Sequence, residues 1–165
     1  KLKVIGNLPY CISSPLLIHF INNRKSIDSI FITVQKEFAE RIIAKEKTKA
    51  RGSISCFAQF YSQPEILFKI KRSCFYPAPK VDSCLLKIKI RNQCLYLTNE
   101  QKLFKIIRTC FEKRRKTILN GLFSIGGFGS KHEIKETLDK LSISPNTRPE
   151  SLSLQEFVRI AEVLQ

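Results

Sequence analysis

Four consecutive residues, Asn7-Leu8-Pro9-Tyr10, combine groups suited to chemistry at the amino nitrogen of a nucleobase. An exocyclic amino nitrogen such as that of adenine is delocalised into its ring and is a poor nucleophile. An Asn side-chain carbonyl and a backbone carbonyl can each accept one amino hydrogen bond and favour a more tetrahedral nitrogen. Pro9 fixes the carbonyls beside it, and the ring of Tyr10 offers a stacking surface for a flipped base. The bland reading of the same four residues is an Asn-Pro turn at the end of a strand.

A second group, Phe75-x-Pro77-x-Pro79-x-Val81-x-Ser83, has prolines that stiffen a loop presenting Phe75 and Tyr76. It reads either as a hairpin connection with a core phenylalanine or as the wall facing Tyr10 across a stacked base. Two basic groups follow a different logic. Lys113-Arg114-Arg115-Lys116 suits a phosphate clamp, or a solvated helix end favoured by the helix dipole. Lys45, Lys47, Lys49 and Arg51 form a basic loop that could contact an RNA backbone, although solvated loops of this kind are common.

The elements that must position these groups follow from hydrophobic pattern. Leu2–Ile5 is apolar enough for a buried strand, which Pro9 must end because it lacks an N–H and restricts Leu8. Ser13 or Ser14 can cap a helix with Pro15 in its first turn. Residues 29–34 are β-branched and aromatic, as in a buried strand, and 36–44 have helical spacing. Residues 53–61 predict another helix, while 65–71 and 83–90 predict an antiparallel pair around the Pro-rich connection. Strands of this kind alternating with helices indicate an open α/β sheet, with ligands beyond the strand ends. From residue 93 the pattern is helical only, with capping boxes at Thr98-Asn99-Glu100-Gln101 and Ser153-Leu154-Gln155-Glu156. The expected division is therefore 1–92 and 93–165.

Bulk composition agrees with a polyanionic partner. The 165 residues carry 29 Lys and Arg against 14 Asp and Glu, a formal net charge of +15. Residues 1–94 hold 17 bases and 6 acids, and residues 95–165 hold 12 and 8. Such an excess favours nucleic acid, because each neutralised phosphate releases condensed counterions. A solvated basic surface is the alternative. The profile is that of a soluble globular protein, with no run near the ~20 apolar residues that span a bilayer. No membrane association is expected. Cysteines 11, 56, 74, 84, 94 and 110 form no C-x-x-C pair, which points away from zinc or redox motifs and towards a reducing, cytoplasmic compartment. His19 and His132 are isolated and read as structural, so no metal site is expected. The start at Lys1, without Met or a signal peptide, suggests a cut chain.

Taken in order, the groups resemble a family. Asn7 to Tyr10, Gln35-Lys36-Glu37 with Arg41, Gly52-Ser53-Ile54-Ser55 and Phe75 to Ser83 follow the order seen in ribosomal RNA adenine dimethyltransferases. Phe111-Glu112-Lys113-Arg114-Arg115-Lys116-Thr117 and Arg148 to Phe157 are similar to its bacterial and organellar small-subunit branch. The resemblance covers essentially the whole chain. It implies S-adenosyl-L-methionine as methyl donor, and N6,N6-dimethylation of two adjacent adenosines in a hairpin near the 3′ end of small-subunit ribosomal RNA. The implied partner is that RNA, or the immature small subunit, with a role in ribosome biogenesis.

The resemblance also implies that this is the C-terminal half of a Rossmann-like methyltransferase sheet followed by a small all-α, RNA-binding domain. The family's donor site uses a Gly-rich loop after its first strand and acids after its second and third. None of these precedes Asn7 here, so Asn7 alone carries over as a donor contact, and the isolated chain is expected to be inactive. The strands present would be the family's fourth, fifth, seventh and sixth, and the edge of strand 2–5 would favour self-association. Arg51 stands where an aromatic residue often precedes the Gly. The alternatives are a large-subunit ribosomal RNA or a DNA adenine methyltransferase, and a non-catalytic RNA-binding assembly factor. Arg148 to Phe157 argues for the small-subunit branch.

Overall fold

The computed structural model describes residues 1–93, 95–96 and 98–164. They form two compact units, one of Lys1–Ala44 with Phe57–Leu95 and one of Lys45–Cys56 with Tyr96–Gln165. The first unit is built on a four-stranded sheet. Strand β1 is Leu2–Asn7, β2 is Ile27–Gln35, β3 is Ser62–Ile70 and β4 is Ser83–Ile90, in the spatial order β1-β2-β4-β3. β1 and β2 are parallel, whereas β4 is antiparallel to both β2 and β3. This is the expected open α/β arrangement with a reversed last strand.

β2 and β4 are central, and their composition explains why. Ile30, Ile32 and Val34 alternate as fully buried positions on β2, and Ile30 and Ile32 sit opposite the buried Ile88 and Leu86 of β4. Helix α1, Ser13–Asn22, buries Leu17 and Ile21 and contacts β2, while α2, Lys36–Ile42, buries Ala39 and Ile42. The sheet edges look different. On β1, Leu2 and Ile5 are 66% and 80% exposed. On β3, Pro64 is tolerated at the edge, and a bulge between Ile66 and Phe68 leaves Leu67 and Phe68 exposed. β1 extends past the expected Ile5 to Asn7, and β3 starts three residues earlier than expected because Ser62 already pairs with Ile90.

The second unit is helical, with α4 Glu100–Glu112, α5 Ile118–Phe123, α6 Lys131–Lys140 and α7 Leu154–Val163. α4 buries Leu103, Ile106, Ile107 and Cys110, and α7 buries Phe157, Val158, Ile160 and Ala161. Burial pushes the thiol of Cys110 up to about 12, so it behaves as a small hydrophobe. Ser153 and Glu156 form the expected capping box on α7, and Ser130 with Glu133 forms another on α6. The box expected from Thr98 is instead a simple cap, in which Asn99 accepts from the Lys102 N–H. Neither Ser13 nor Ser14 caps α1; Ser13 Oγ donates to the Pro9 carbonyl. Cys94 lies outside the described residues.

The helical unit takes in one segment from earlier in the chain. Residues 45–56 belong to the helical unit, where the Lys47 N–H donates to the Glu150 carbonyl and Arg114 Nη2 to the Lys49 carbonyl. The helix α3, Ser53–Tyr61, gives its first four residues to this unit and the rest to the sheet unit. A polar sequence cannot disclose such docking, because it depends on hydrogen bonds to residues 65 to 103 positions away.

Phe157→Ala is expected to destabilise the protein by about 3–5 kcal/mol, because Phe157 is fully buried against Phe111. Ser153→Ala, which removes one cap, is expected to cost about 1 kcal/mol. Chemical denaturation compares them directly, and equal midpoints would contradict this packing.

Candidate functional site

Asn7 is the last residue of β1, and its side chain is exposed at the strand's C-terminal end. The ladder continues one residue further, as the Leu8 N–H donates to the Thr33 carbonyl at 3.1 Å. Pro9 has no hydrogen to give, so the chain leaves the sheet and turns through the short 3-10 segment Tyr10–Ile12. The Pro9 carbonyl is taken by the Ile12 N–H and by Ser13 Oγ, both at 3.2 Å. Buried Leu8 anchors the turn from below.

The Pro-rich loop reaches the same rim because β4 is reversed. Its first residue, Ser83, pairs with Gln35 at the end of β2 and with Ile70 at the end of β3. Ser83 is fully buried, and its hydroxyl is 2.7 Å from the phenol oxygen of Tyr10. This contact spans 73 residues of sequence and holds the Tyr10 ring. The sequence showed Ser83 only as the end of a motif; its role as the partner of Tyr10 needed the strand register. Asp82 braces the loop, accepting from the Arg72 N–H at 3.0 Å while its carbonyl accepts from the Lys36 N–H.

A cavity of about 340 Å³ lies between the two motifs, with Asn7 to Tyr10 on one side and Phe75, Tyr76, Pro77 and Pro79 on the other. Phe75 is half-buried and Tyr76 wholly exposed. The structure thus brings Asn7, Leu8, Pro9, Tyr10 and Phe75 around one opening of the size of a small-molecule site. Among the described residues, none that lines it is acidic.

The basic residues of the helical unit divide unevenly. Lys113 closes α4 and Arg114, Arg115 and Lys116 form the turn before α5, all four exposed. Their position at a helix C-terminus agrees with the dipole reading, but the turn extends beyond what capping needs. Lys45, Lys47 and Lys49 are exposed, and the Arg114–Lys49 bond sets their loop beside this turn. Arg51 corrects the expectation. It is fully buried, 3.8 Å from the Glu46 carboxylate, and cannot reach an RNA backbone. It lies close enough to Cys56 to pull its thiol downward, although burial dominates and pushes that thiol up to about 11. A loop sequence of alternating bases gives no sign that the last one turns inward.

A further cavity of the helical unit, about 350 Å³, is lined by Lys47 and Arg148 together with Ser142, Ser144, Thr147 and Ser151. Lys47 and Ser142 both have left-handed backbones, with φ of 64° and 59°. Among the described residues no cluster of three or more His, Cys, Asp or Glu could hold a metal, and no helix is long and apolar enough to cross a membrane.

Comparison with known proteins agrees with this geometry. A ribosomal RNA small subunit methyltransferase A from Lactococcus lactis is 41% identical over 164 residues, which is 99% of this chain and 56% of that protein. The protein of the same name from Moorella thermoacetica is 38% identical over the same shares. The chain therefore spans little more than half the length of these relatives. Among solved structures, a dimethyladenosine transferase from Plasmodium falciparum superposes with a TM-score of 0.79 at 26% identity, over 96% of this chain and 64% of that one. A 23S rRNA methyltransferase, ErmE, shares the fold with a TM-score of 0.69 at 20% identity, over 99% of this chain and 65% of that one. The sequence model of the ribosomal RNA adenine dimethylase family matches residues 1–165. With the Asn7–Tyr10 turn, the reversed strand behind Phe75 and a match along its whole length, this chain belongs to the ribosomal RNA adenine dimethylase family.

Proposed function

We propose that the protein containing this chain transfers methyl groups to the N6 nitrogen of two adjacent adenosines in a 3′-terminal hairpin of small-subunit ribosomal RNA, in the cytoplasm, during ribosome biogenesis. The observation that carries this reading is the cavity that sets Asn7, Tyr10 and Phe75 around one opening. The small-subunit target rests on the relatives named above and on Arg148 to Phe157. No observation favours a non-catalytic assembly factor, which would have no use for an Asn7 carboxamide at the mouth of this cavity.

In this reading the adenine stands between Tyr10 and Phe75, each stacked base–aromatic contact contributing about 1–3 kcal/mol. The Asn7 side-chain carbonyl accepts one amino hydrogen. The second acceptor is the Leu8 carbonyl, because the Pro9 carbonyl is already taken by Ile12 and Ser13. The two acceptors draw the amino nitrogen towards tetrahedral geometry and hold it at the strand end. S-adenosyl-L-methionine, when bound, supplies an electrophilic methyl group. Among the described residues this reading sets Asn7 against the donor, and the residues lining the cavity include no acid for a ribose hydroxyl. These residues fit the target half of such a site. Lys113 to Lys116 with Lys45, Lys47 and Lys49 hold the RNA backbone.

Labelled-methyl transfer to unmethylated small subunits tests the proposal in the intact protein. Asn7→Ala should abolish transfer and leave RNA affinity nearly unchanged, because phosphate contacts dominate that affinity; retention of most of the turnover would sink the role of Asn7. Tyr10→Leu and Phe75→Leu should lower turnover far more than Tyr76→Leu, and Ser83→Ala should mimic part of the Tyr10 loss. Comparable losses at Tyr76 would place the base on the other face of the loop. Exchanging Arg114, Arg115 and Lys116 for Gln should reduce the salt dependence of binding by about 0.7–0.9 in slope per lost phosphate contact. An unchanged slope would return this turn to a helix-end role.

A further inference from the structure

The loop that carries Phe75 also carries a second aromatic ring, which holding one adenine does not use. The backbone at Phe75 is extended, with φ −118° and ψ 148°, so successive side chains leave it on opposite sides. Phe75 is accordingly half-buried and its neighbour Tyr76 wholly exposed, although both line the same opening. The backbone presenting Tyr76 is stiffened from both directions. Pro77 and Pro79 follow it with fixed φ, and the Phe75 N–H donates to the Arg72 carbonyl at 3.3 Å. Asp82 ties the two arms of the loop together through the Arg72 N–H. Tyr76 adds nothing to the core, yet its place beside a base-sized opening is set.

The charges around this ring are mostly of one sign. Residues 69–82 hold Lys69, Lys71, Arg72 and Lys80, all exposed, against the single acid Asp82. The Asp82 carboxylate already accepts from the Arg72 backbone N–H at 3.0 Å. Cations along both arms of a loop, with an exposed aromatic between them, suit a single strand of nucleic acid. The cations meet phosphates and the ring meets the face of a base. Phe75 and Tyr76 are adjacent, with Cα atoms about 3.8 Å apart across their peptide. A strand that sends one base into the cavity at Phe75 therefore brings the neighbouring base to Tyr76. Stacking accepts any base, because every base has a π-face, so the ring can hold an adenine before or after its amino group is methylated.

We propose that Tyr76 is a stacking platform for the nucleotide next to the target adenosine, with Lys69, Lys71, Arg72 and Lys80 along the phosphates of that strand. This rests on the reading that Tyr10 and Phe75 hold the target base. One cavity can then serve two adjacent adenosines: while one stands in it, the other, methylated or not, stands on Tyr76. Tyr76 acts on binding and register, not on the methyl-transfer step. The test uses the intact protein, unmethylated small subunits and three ribosomal RNA hairpins. One hairpin carries both adjacent adenosines, and each of the others has an abasic nucleotide in place of one of them. On small subunits Tyr76→Ala should raise KM about fivefold or more with kcat unchanged, and Tyr76→Phe, which keeps a ring, should restore KM. Hairpin affinity should fall by a similar factor in Tyr76→Ala. The unaltered protein should lose as much on the abasic hairpins, where Tyr76→Ala brings no further loss. Exchanging Lys71 and Lys80 for Gln should lower the salt dependence of hairpin binding by about 0.7 in slope for each contact removed. An unchanged KM in Tyr76→Ala, an equal loss from that exchange on intact and abasic hairpins, or an unchanged slope overturns the platform. Tyr76 is wholly exposed, so its exchange leaves the fold intact. Failure of the underlying reading shows elsewhere, as full turnover in Phe75→Leu.

Discussion

The parallel ladder between β1 and β2 stops where the chain runs out of hydrogens to donate. Leu8 gives the last one, to Thr33, and Pro9 has none. Everything at the candidate site depends on that stop. One residue more of strand would carry Tyr10 along the sheet; instead the chain turns at once, with the Pro9 carbonyl recaptured by Ile12 and Ser13. Asn7 is left at the end of its strand with an exposed carboxamide, and Tyr10 is brought round beside it.

The second constraint is the direction of β4. A parallel last strand would have brought the Pro-rich loop to the far end of the sheet. Antiparallel pairing with β2 and β3 instead places Ser83 level with Gln35 and Ile70, and the Phe75 loop arrives at the rim where Asn7 stands. The buried Ser83 hydroxyl then ties the two motifs together through Tyr10. The same reversal returns the end of β4 to the opposite rim, where Arg91 meets Tyr61, which also carries the Arg24 stack. One antiparallel strand thus brings the Pro-rich loop to the rim of Asn7 and carries Arg91 to the other.

The helical unit works by a different economy. Its stability comes from amphipathic stripes and two reciprocal capping boxes, which satisfy helix-end donors without burying charge. That leaves most of its bases free for the surface. Arg51 is the exception, drawn inside near Glu46, while its neighbours Lys45, Lys47 and Lys49 stay exposed beside the Arg114 turn.

The sequence by itself determined the elements and the residue types of the site. Helix α3 and strand β4 have the bounds that their patterns predict, because period and turn residues are local signals. Asn7 to Tyr10 and Phe75 were legible as a candidate site because each group is contiguous and joins residue types suited to accept hydrogen bonds, to stiffen a turn and to stack. The family was legible for the same reason, since its motifs are short and ordered. Tertiary structure decided what depends on distant partners. Asn99 rather than Thr98 caps α4, since the cap belongs to the residue whose oxygen reaches the Lys102 N–H. The segment 45–56 joined the helical unit through hydrogen bonds to Glu150 and Arg114. Arg51 turned inward, and Ser83 became the partner of Tyr10. None of these follows from pattern, because each is set by the register of strands and the docking of loops, and those are properties of the folded chain.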